Sequence, residues 1–398
     1  MLVLDAIAWT LALLLLLPAV VLFVQVMAAR RPPRIDEALP DAATRPALAV
    51  LMPAHNEAAG IAAPIGAVLA QLRPGDRLLV VADNCSDDTA QVAARLGAEV
   101  VERQDADRRG KGYALDHGVR HLRGDPREVV VIVDADCRVE PQALDRLAAA
   151  CMEAARPVQA LYLMRSPPGA GLKTRVAEFA WLLRNKVRPL GCRALGWPCQ
   201  LMGTGMAFPW SMLARAQLAT GHLVEDMQLG LDLAAAGTPP MFCPEALVTS
   251  EFPQADAAIA AQRTRWEHGH LGMIASRSLP MLWTALRTGR AGLAAMALDL
   301  AVPPLTALTL LLVLALLGMA LLAALGGSVG PLGAVSFALA LVVAAVAAAW
   351  SRDARDIVSP ADWLAIPGYI LGKLPIYAKL YTARQREWVR TRRRGDSP

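Results

Sequence analysis

Between Leu300 and Ser351 the chain carries no charged side chain. A helix needs about 20 apolar residues to cross a hydrocarbon core of about 30 Å, so this run is long enough for two crossings. Gly326-Gly327-Ser328-Val329-Gly330-Pro331 is the turn between them. The alternative is an apolar hairpin buried inside a globular domain. A second uncharged run, Ala6 to Ala29, suits a third span. A cleaved signal peptide would need a basic start, a shorter apolar run and a small-residue cleavage site. Here the only early charge is Asp5, and Arg30, Arg31 and Arg34 follow the run. The positive-inside rule keeps those arginines cytoplasmic and places the N-terminus outside.

Composition agrees with a chain partly in lipid. Charged residues make up 19%, against roughly 25% in soluble domains. The net charge of +5 is modest, and much of it lies in Arg384, Arg386, Arg390, Arg392, Arg393 and Arg394. Nothing in that balance suggests nucleic acid as a partner. The six cysteines form no C-x-x-C pair, so they are expected as reduced thiols in a reducing compartment.

The part between the apolar runs has a different character. Residues 30–45 read as a linker. Over 46–276, short β-branched runs alternate with Ala- and Leu-rich helical stretches, which predicts an α/β domain with a mostly parallel sheet covered by helices. Expected strands include Ala47–Met52, Arg77–Ala82, Glu99–Glu102, Val129–Val133, Val158–Met164, Met202–Phe208 and Met241–Cys243. Residues 277–299 predict a helix at the bilayer interface, with Trp283 and Leu286 opposite Arg287 and Arg290. Residues 300–351 hold the two spans. Residues 352–398 are expected to be cytoplasmic: an interfacial segment from Trp363 to Tyr381, then a basic tail against anionic headgroups.

The strongest local signal is Val129-Val130-Val131-Ile132-Val133-Asp134-Ala135-Asp136. Five β-branched residues predict a buried central strand, and ligands of open α/β sheets bind beyond the carboxyl ends of the strands. Two aspartates one residue apart can reach a divalent ion together with the ribose or diphosphate that shares it; a solvated strand-end turn is the plainer reading. Asn56 and Glu57 end the first strand and Asp83 the second, so three strands deliver polar groups to one sheet edge. Arg108-Arg109-Gly110-Lys111-Gly112-Tyr113 is a basic glycine-bearing loop before a helix, which suits a diphosphate, although such loops are also plain surface turns. It lacks the phosphate-loop ATPase pattern.

Pro53–Glu57, Asp83, Gly110-Lys111-Gly112, Asp134-Ala135-Asp136, Glu225-Asp226 and Gln262-Arg263-Thr264-Arg265-Trp266 occur in the order found in family 2 glycosyltransferases. Over Ala47 to Leu271 the chain resembles that family, and by architecture the cellulose, chitin, hyaluronan and poly-N-acetylglucosamine synthases and the ceramide glucosyltransferases. The resemblance implies a glycosyltransferase A-type nucleotide-sugar-binding fold. It implies that Glu57, Asp83 and Asp134 face the nucleotide and Lys111 the diphosphate, with Asp136, beside Asp134, holding Mg²⁺ or Mn²⁺. Asp226, with Glu225 beside it, resembles the general base. Gln262, Arg265 and Trp266 would clamp the diphosphate and floor the acceptor site. An N-cap is the plain alternative for Asp226, and an interfacial anchor for Trp266. Ala82-Asp83 stands where many relatives have two aspartates, and Val224 where some have threonine.

The expected activity is inverting transfer from a nucleotide diphosphate sugar, a UDP-sugar first, to a lipid or lipid-linked glycan acceptor. The enzyme would work at the cytoplasmic face of a bacterial-type inner (plasma) membrane, in cell-surface polysaccharide or glycolipid biosynthesis. A processive polysaccharide synthase is the alternative, supported by the Gln262–Trp266 form. Three spans would then need a homo-oligomer or a polysaccharide-assembly partner to enclose a channel. A silent scaffold that binds nucleotide sugars is opposed by intact Asp136, Asp226 and Arg265.

Overall fold

The computed structural model describes residues 2–29, 45–252 and 256–377, with the side chains of 256–261 and 263 left aside. The expected linker 30–45 therefore falls almost wholly outside the described residues, and the basic tail does so entirely. Two compact units divide the chain: residues 45–167 and 198–269 form one, and residues 2–29, 168–197 and 270–377 form the other. Segment 168–197, inside the expected 46–276 domain, thus groups with the apolar helices.

The first unit is built on a sheet of eight strands among the described residues. They are β1 (Leu48–Ala54), β2 (Arg77–Asp83), β3 (Glu99–Arg103), β4 (Val129–Ile132), β5 (Arg138–Val139), β6 (Val158–Arg165), β7 (Met206–Pro209) and β8 (Met241–Glu251). Their spatial order is β3-β2-β1-β4-β7-β6-β8-β5. The β-branched run of β4 is wholly buried and sits near the middle. Strands β1 to β4 are mutually parallel, as the alternation predicts. Strand β7 is antiparallel to both β4 and β6, and β5 to β8, so the sheet is mixed. The reversal has a local cause, since the chain enters β7 from a loop beside the carboxyl end of β4 and must run back along it.

Two expected elements differ in extent. Met202–Phe208 is strand only from Met206, because Gly203 (φ +93°) and Gly205 (φ +64°) take left-handed conformations that an extended strand does not accommodate. Met241–Cys243 continues to Glu251, and Leu247–Glu251 pairs with β6 beyond a register shift. Between sheet and helices, Leu51, Leu79, Leu115, Val130, Ile132 and Phe208 form a continuous apolar core. At about 25 cal/mol per Å² of apolar area removed from water, that burial is the main stabilising term for the unit.

In the second unit, three helices are long and apolar enough to cross a membrane: Leu2–Ala28, Leu305–Ala324 and Gly330–Asp353. The first packs along the third. Gly330 leaves room for the Trp9 ring, which a Cβ there would meet at 2.3 Å. Asp5, the one early charge, accepts the backbone N–H of Ser328 in the turn at 2.9 Å. Exposed Leu13, Leu14, Leu317 and Val343 face outward, as lipid-facing side chains would. Residues 277–299 are two helices, Leu279–Thr288 and Ala291–Leu300, broken at Gly289 (φ +66°). The first keeps Met281 and Ala285 inward and leaves Leu279, Trp283 and Leu286 exposed. In the Trp363–Tyr381 segment, short helices Pro360–Ala365 and Ile366–Leu371 carry exposed Leu364 and Leu371. Its last residues lie outside those described.

Candidate functional site

The carboxyl ends of β1, β2 and β4 gather the polar groups that the sequence assigns to one edge. Each of the first two strands ends in an asparagine turned left-handed, Asn56 (φ +55°) and Asn84 (φ +52°). Asparagine tolerates that region better than other non-glycine residues. These turns stop the strands and start the loops. Glu57 follows at once, its N–H donating to Thr89 Oγ1 at 2.8 Å. Asp83 is buried, and the β2–β3 register sets it beside Arg103. Arg103 Nη1 donates to Asp83 Oδ1 at 2.5 Å, and Arg103 Nη2 donates to Asp105 Oδ2 at 3.0 Å. Arg103 was not among the residues anticipated; its only sequence signal is a basic residue at the end of a short strand.

Beyond β4 the register does further work. Ile132 pairs with Met206, so the antiparallel count brings Asp134 opposite Thr204. The Asp134 N–H indeed donates to Thr204 Oγ1 at 3.1 Å. Lys111, at the first turn of helix Lys111–Leu122, forms an ion pair with Asp134. Its ammonium also donates to the Gly203 carbonyl at 2.7 Å. A Cβ on Gly203 would lie 3.2 Å from Asp226 Oδ2 and 3.6 Å from Lys111 Nζ. Lys111, Asp134, Gly203 and Asp226 therefore meet at one place.

Glu225 and Asp226 open helix Glu225–Ala236. Carboxylates in a first helical turn are favoured by the unpaired N–H groups there. Burial, then the neighbouring Asp226, push the Glu225 carboxyl up to about 7, while Lys111 and Arg265 act in the opposite direction. Burial likewise raises the Asp134 carboxyl; Lys111 opposes this and Asp136 adds to it. Lys111 keeps its proton well above the ordinary value: burial works against the charge, but Asp134, Glu225 and Asp226 outweigh it. Arg265 lies within electrostatic reach of Glu225, and its Nε is buried without a hydrogen-bond partner among the described residues. Gln262 and Trp266 are half-buried on the same helix, Asp256–Met273, one turn apart on one face.

Four carboxylates, Asp134, Asp136, Glu225 and Asp226, are thus coupled to two cations, Lys111 and Arg265. Such an excess of negative charge needs an added cation or protons. Ligand atoms of Asp134, Asp136 and Cys137 lie within 4.8 Å of one another, a separation one ion can bridge. The two carboxylates suit a hard ion such as Mg²⁺ or Mn²⁺. Cys137 is buried, and burial followed by Asp136 raises its thiol well above the ordinary range, so it is a poor ligand as it stands.

Residues 46–269, more than half of the chain, match the family described as glycosyltransferase like family 2. The chain belongs to that family. This glycosyltransferase is 38% identical over 111 residues to the low-salt glycan biosynthesis hexosyltransferase Agl6 of Haloferax volcanii, a match covering 27% of this chain and 25% of that protein. It is 34% identical over 148 residues to an uncharacterised glycosyltransferase of Mycobacterium tuberculosis, covering 36% of this chain and 62% of the relative. Neither relative is matched over two thirds of its own length. The mannosyltransferase PcManGT of Pyrobaculum calidifontis, solved in complex with GDP-Man and Mn²⁺, superposes with a TM-score of 0.59 at 21% identity. The alignment covers 95% of this chain and 99% of that one. That likeness is one of fold, the glycosyltransferase A type.

Proposed function

We propose that this enzyme carries out a single inverting transfer of a sugar from a nucleotide diphosphate sugar, a UDP-sugar first, to a lipid or lipid-linked acceptor. The reading rests above all on Asp226, a carboxylate at a helix start that meets Gly203 and shares Lys111 with Asp134. One carboxylate base is what a single displacement needs, because the acceptor hydroxyl must lose its proton as it attacks. Asp226 takes that proton, with Glu225 beside it at the helix start.

Glu57 and Asp83 face the nucleoside, with Arg103 fixing the Asp83 carboxylate. Asp134 and Asp136 would hold a divalent ion, which when bound would supply positive charge to the leaving diphosphate. Arg265 Nε, with no hydrogen-bond partner among the described residues, adds a donor. Gln262 and Trp266 line the acceptor, where the indole offers a flat apolar face.

The apolar helices support the lipid acceptor. The three candidate spans among the described residues are few for lining a hydrophilic channel, whereas transfer at a membrane surface needs none. Helix Leu279–Thr288 lies in the headgroup layer through Leu279, Trp283 and Leu286. The arginines flanking the first span keep the catalytic unit on the cytoplasmic side of a plasma membrane.

The test is transfer of radiolabel from UDP- and GDP-sugars into membranes containing the protein, with Mn²⁺ or with EDTA. Label as one sugar in solvent-extractable lipid, lost with EDTA, is the expected result. Label in long polymer would replace this reading with a processive synthase. Intact donor binding with no transfer to any acceptor would favour a scaffold.

A further inference from the structure

Lys111 is the residue to which most of the site is tied, and its bonds run to the protein itself. Gly112, directly after it, is pressed against the neighbouring loop: a Cβ there would meet the Leu218 carbonyl at 2.5 Å and the Thr220 carbonyl at 2.6 Å. The backbone that carries Lys111 is therefore held in place. Of its three ammonium protons, one goes to the Gly203 carbonyl and another to Asp134.

The loop that Lys111 grips is fixed from beneath as well. Gln159 on β6 is wholly buried and uses both ends of its amide. Its Nε2 donates to the Thr204 carbonyl at 2.9 Å, and its Oε1 accepts the Met202 N–H at 2.8 Å. The Ala160 N–H donates to the Gly205 carbonyl at 2.8 Å. Gly205 can have no side chain, since a Cβ would lie 2.7 Å from that of Ala160 and 2.9 Å from Val248 Cγ2. Loop Met202–Gly205 is thus a rigid spacer with Asp134 against Thr204 and Asp226 against Gly203.

We propose that Lys111 is a positioning residue for the transfer, which clamps Gly203 and Asp134 together and so sets the gap between the metal-side carboxylate and the base Asp226. This rests on the function proposed above and differs from the sequence expectation that Lys111 faces the diphosphate. A diphosphate-binding lysine adds its charge in the ground state and so sets donor affinity. A positioning lysine acts on the distance between groups, where a shift of about 1 Å can cost 10²-fold in rate.

The experiment compares wild type with Lys111→Met in detergent or nanodiscs. Nucleoside diphosphate binding is measured by calorimetry, Mn²⁺ binding by electron paramagnetic resonance, and transfer by steady-state kinetics. With Lys111 positioning, the Kd for nucleoside diphosphate stays within about threefold. Mn²⁺ binds more tightly, because Asp134 has lost its competing cation, and kcat falls about 100-fold at nearly constant donor KM. A rise in the nucleoside diphosphate Kd of about tenfold or more, as loss of a charge-assisted bond brings, would overturn the proposal. So would an unchanged kcat. The two binding measurements decide the matter even if the wild type transfers no sugar, so failure of the function and failure of this role are separable. If Lys111→Met does not fold, Gly203→Ala decides, since it sets a methyl against Asp226 while leaving the ammonium in place. It should lower kcat with donor affinity unchanged, and normal turnover would overturn the proposal.

Discussion

Two charged clusters in this glycosyltransferase both combine aspartate with arginine and behave as opposites. At the strand ends, Asp134, Asp136, Glu225 and Asp226 share Lys111 and Arg265, leaving negative charge in excess. In the helical unit, Arg188, Asp299 and Gln25 form a closed set. Arg188 Nη2 donates to Asp299 Oδ1 at 2.7 Å and to its carbonyl at 2.9 Å, and Arg188 Nε donates to Gln25 Oε1 at 2.9 Å. Gln25 Nε2 completes the triangle on Asp299 Oδ1 at 2.7 Å. All three are buried, with exposures of 8% or less. One charge of each sign with its bonds filled needs nothing further; a surplus of carboxylates calls for an added cation or protons. Charge balance thus distinguishes the half-buried strand-end cluster, the proposed site, from the buried helical one.

The sharpest way to break that contrast is to remove one charge from each cluster. Asp226→Asn should lower transfer by about 10³-fold, in the range general bases supply, and leave folding and donor binding intact. Normal transfer by that variant would remove the base assignment. Asp299→Ala should leave activity per folded molecule unaltered but destabilise the protein by about 3–5 kcal/mol, because Arg188 is left buried and uncompensated. Replacing both partners, as Arg188→Met with Asp299→Leu, should restore most of that loss. A double variant as unstable as the single one would show that the pair contributes more than its charge balance.

A smaller effect tests the surplus itself. Glu225 titrates near 7 in the fold, against an ordinary value of 4.5. Between those values the folded chain holds a proton that the unfolded chain has released. Stability of the metal-free protein from this group should therefore fall as pH rises from about 4.5 to 7. Asp226→Asn removes the neighbouring charge and should flatten the slope of Tm against pH; an unchanged slope would disconnect the two groups. Titration of Glu225 beside the proposed base should also shape the acid side of the kcat/KM profile. The smallest effect is expected at a neutral pair in the same sheet. Tyr162 OH and Ser250 Oγ lie 2.8 Å apart, and Tyr162→Phe should cost about 1 kcal/mol in thermal denaturation without altering the pH slope.

Much of this was legible along the chain wherever the signal is local. Val129–Asp136 announces a central strand ending in carboxylates, and the β-α alternation places Glu57 and Asp83 at the same edge. The uncharged runs mark the three apolar helices. Groups joined across long separations were not legible. Nothing around Gly203 or Gly205 shows that their missing side chains make way for Asp226 and for Ala160. Gln159 reads as one polar residue in a strand. Arg103 becomes informative only once the β2–β3 register sets it against Asp83. Gln25 reads as a blemish in an apolar run, because its partners Arg188 and Asp299 are remote in sequence.

That remoteness bears on how the protein is made. Gln25 precedes Arg188 by 163 residues and Asp299 by 274. Chains grow at about 5–20 residues per second, so a nascent first helix waits roughly 10–30 s for Arg188 and longer for Asp299. Throughout that interval a bare amide sits at the end of an otherwise greasy segment. Gly191 must then arrive against Gln25 with no side chain, since a Cβ would stand 1.9 Å from the Gln25 carbonyl oxygen. The final seating of the first helix is therefore a late event in biogenesis, and lesions at Gln25 or Gly191 should surface as poor yield and rapid turnover of new chains.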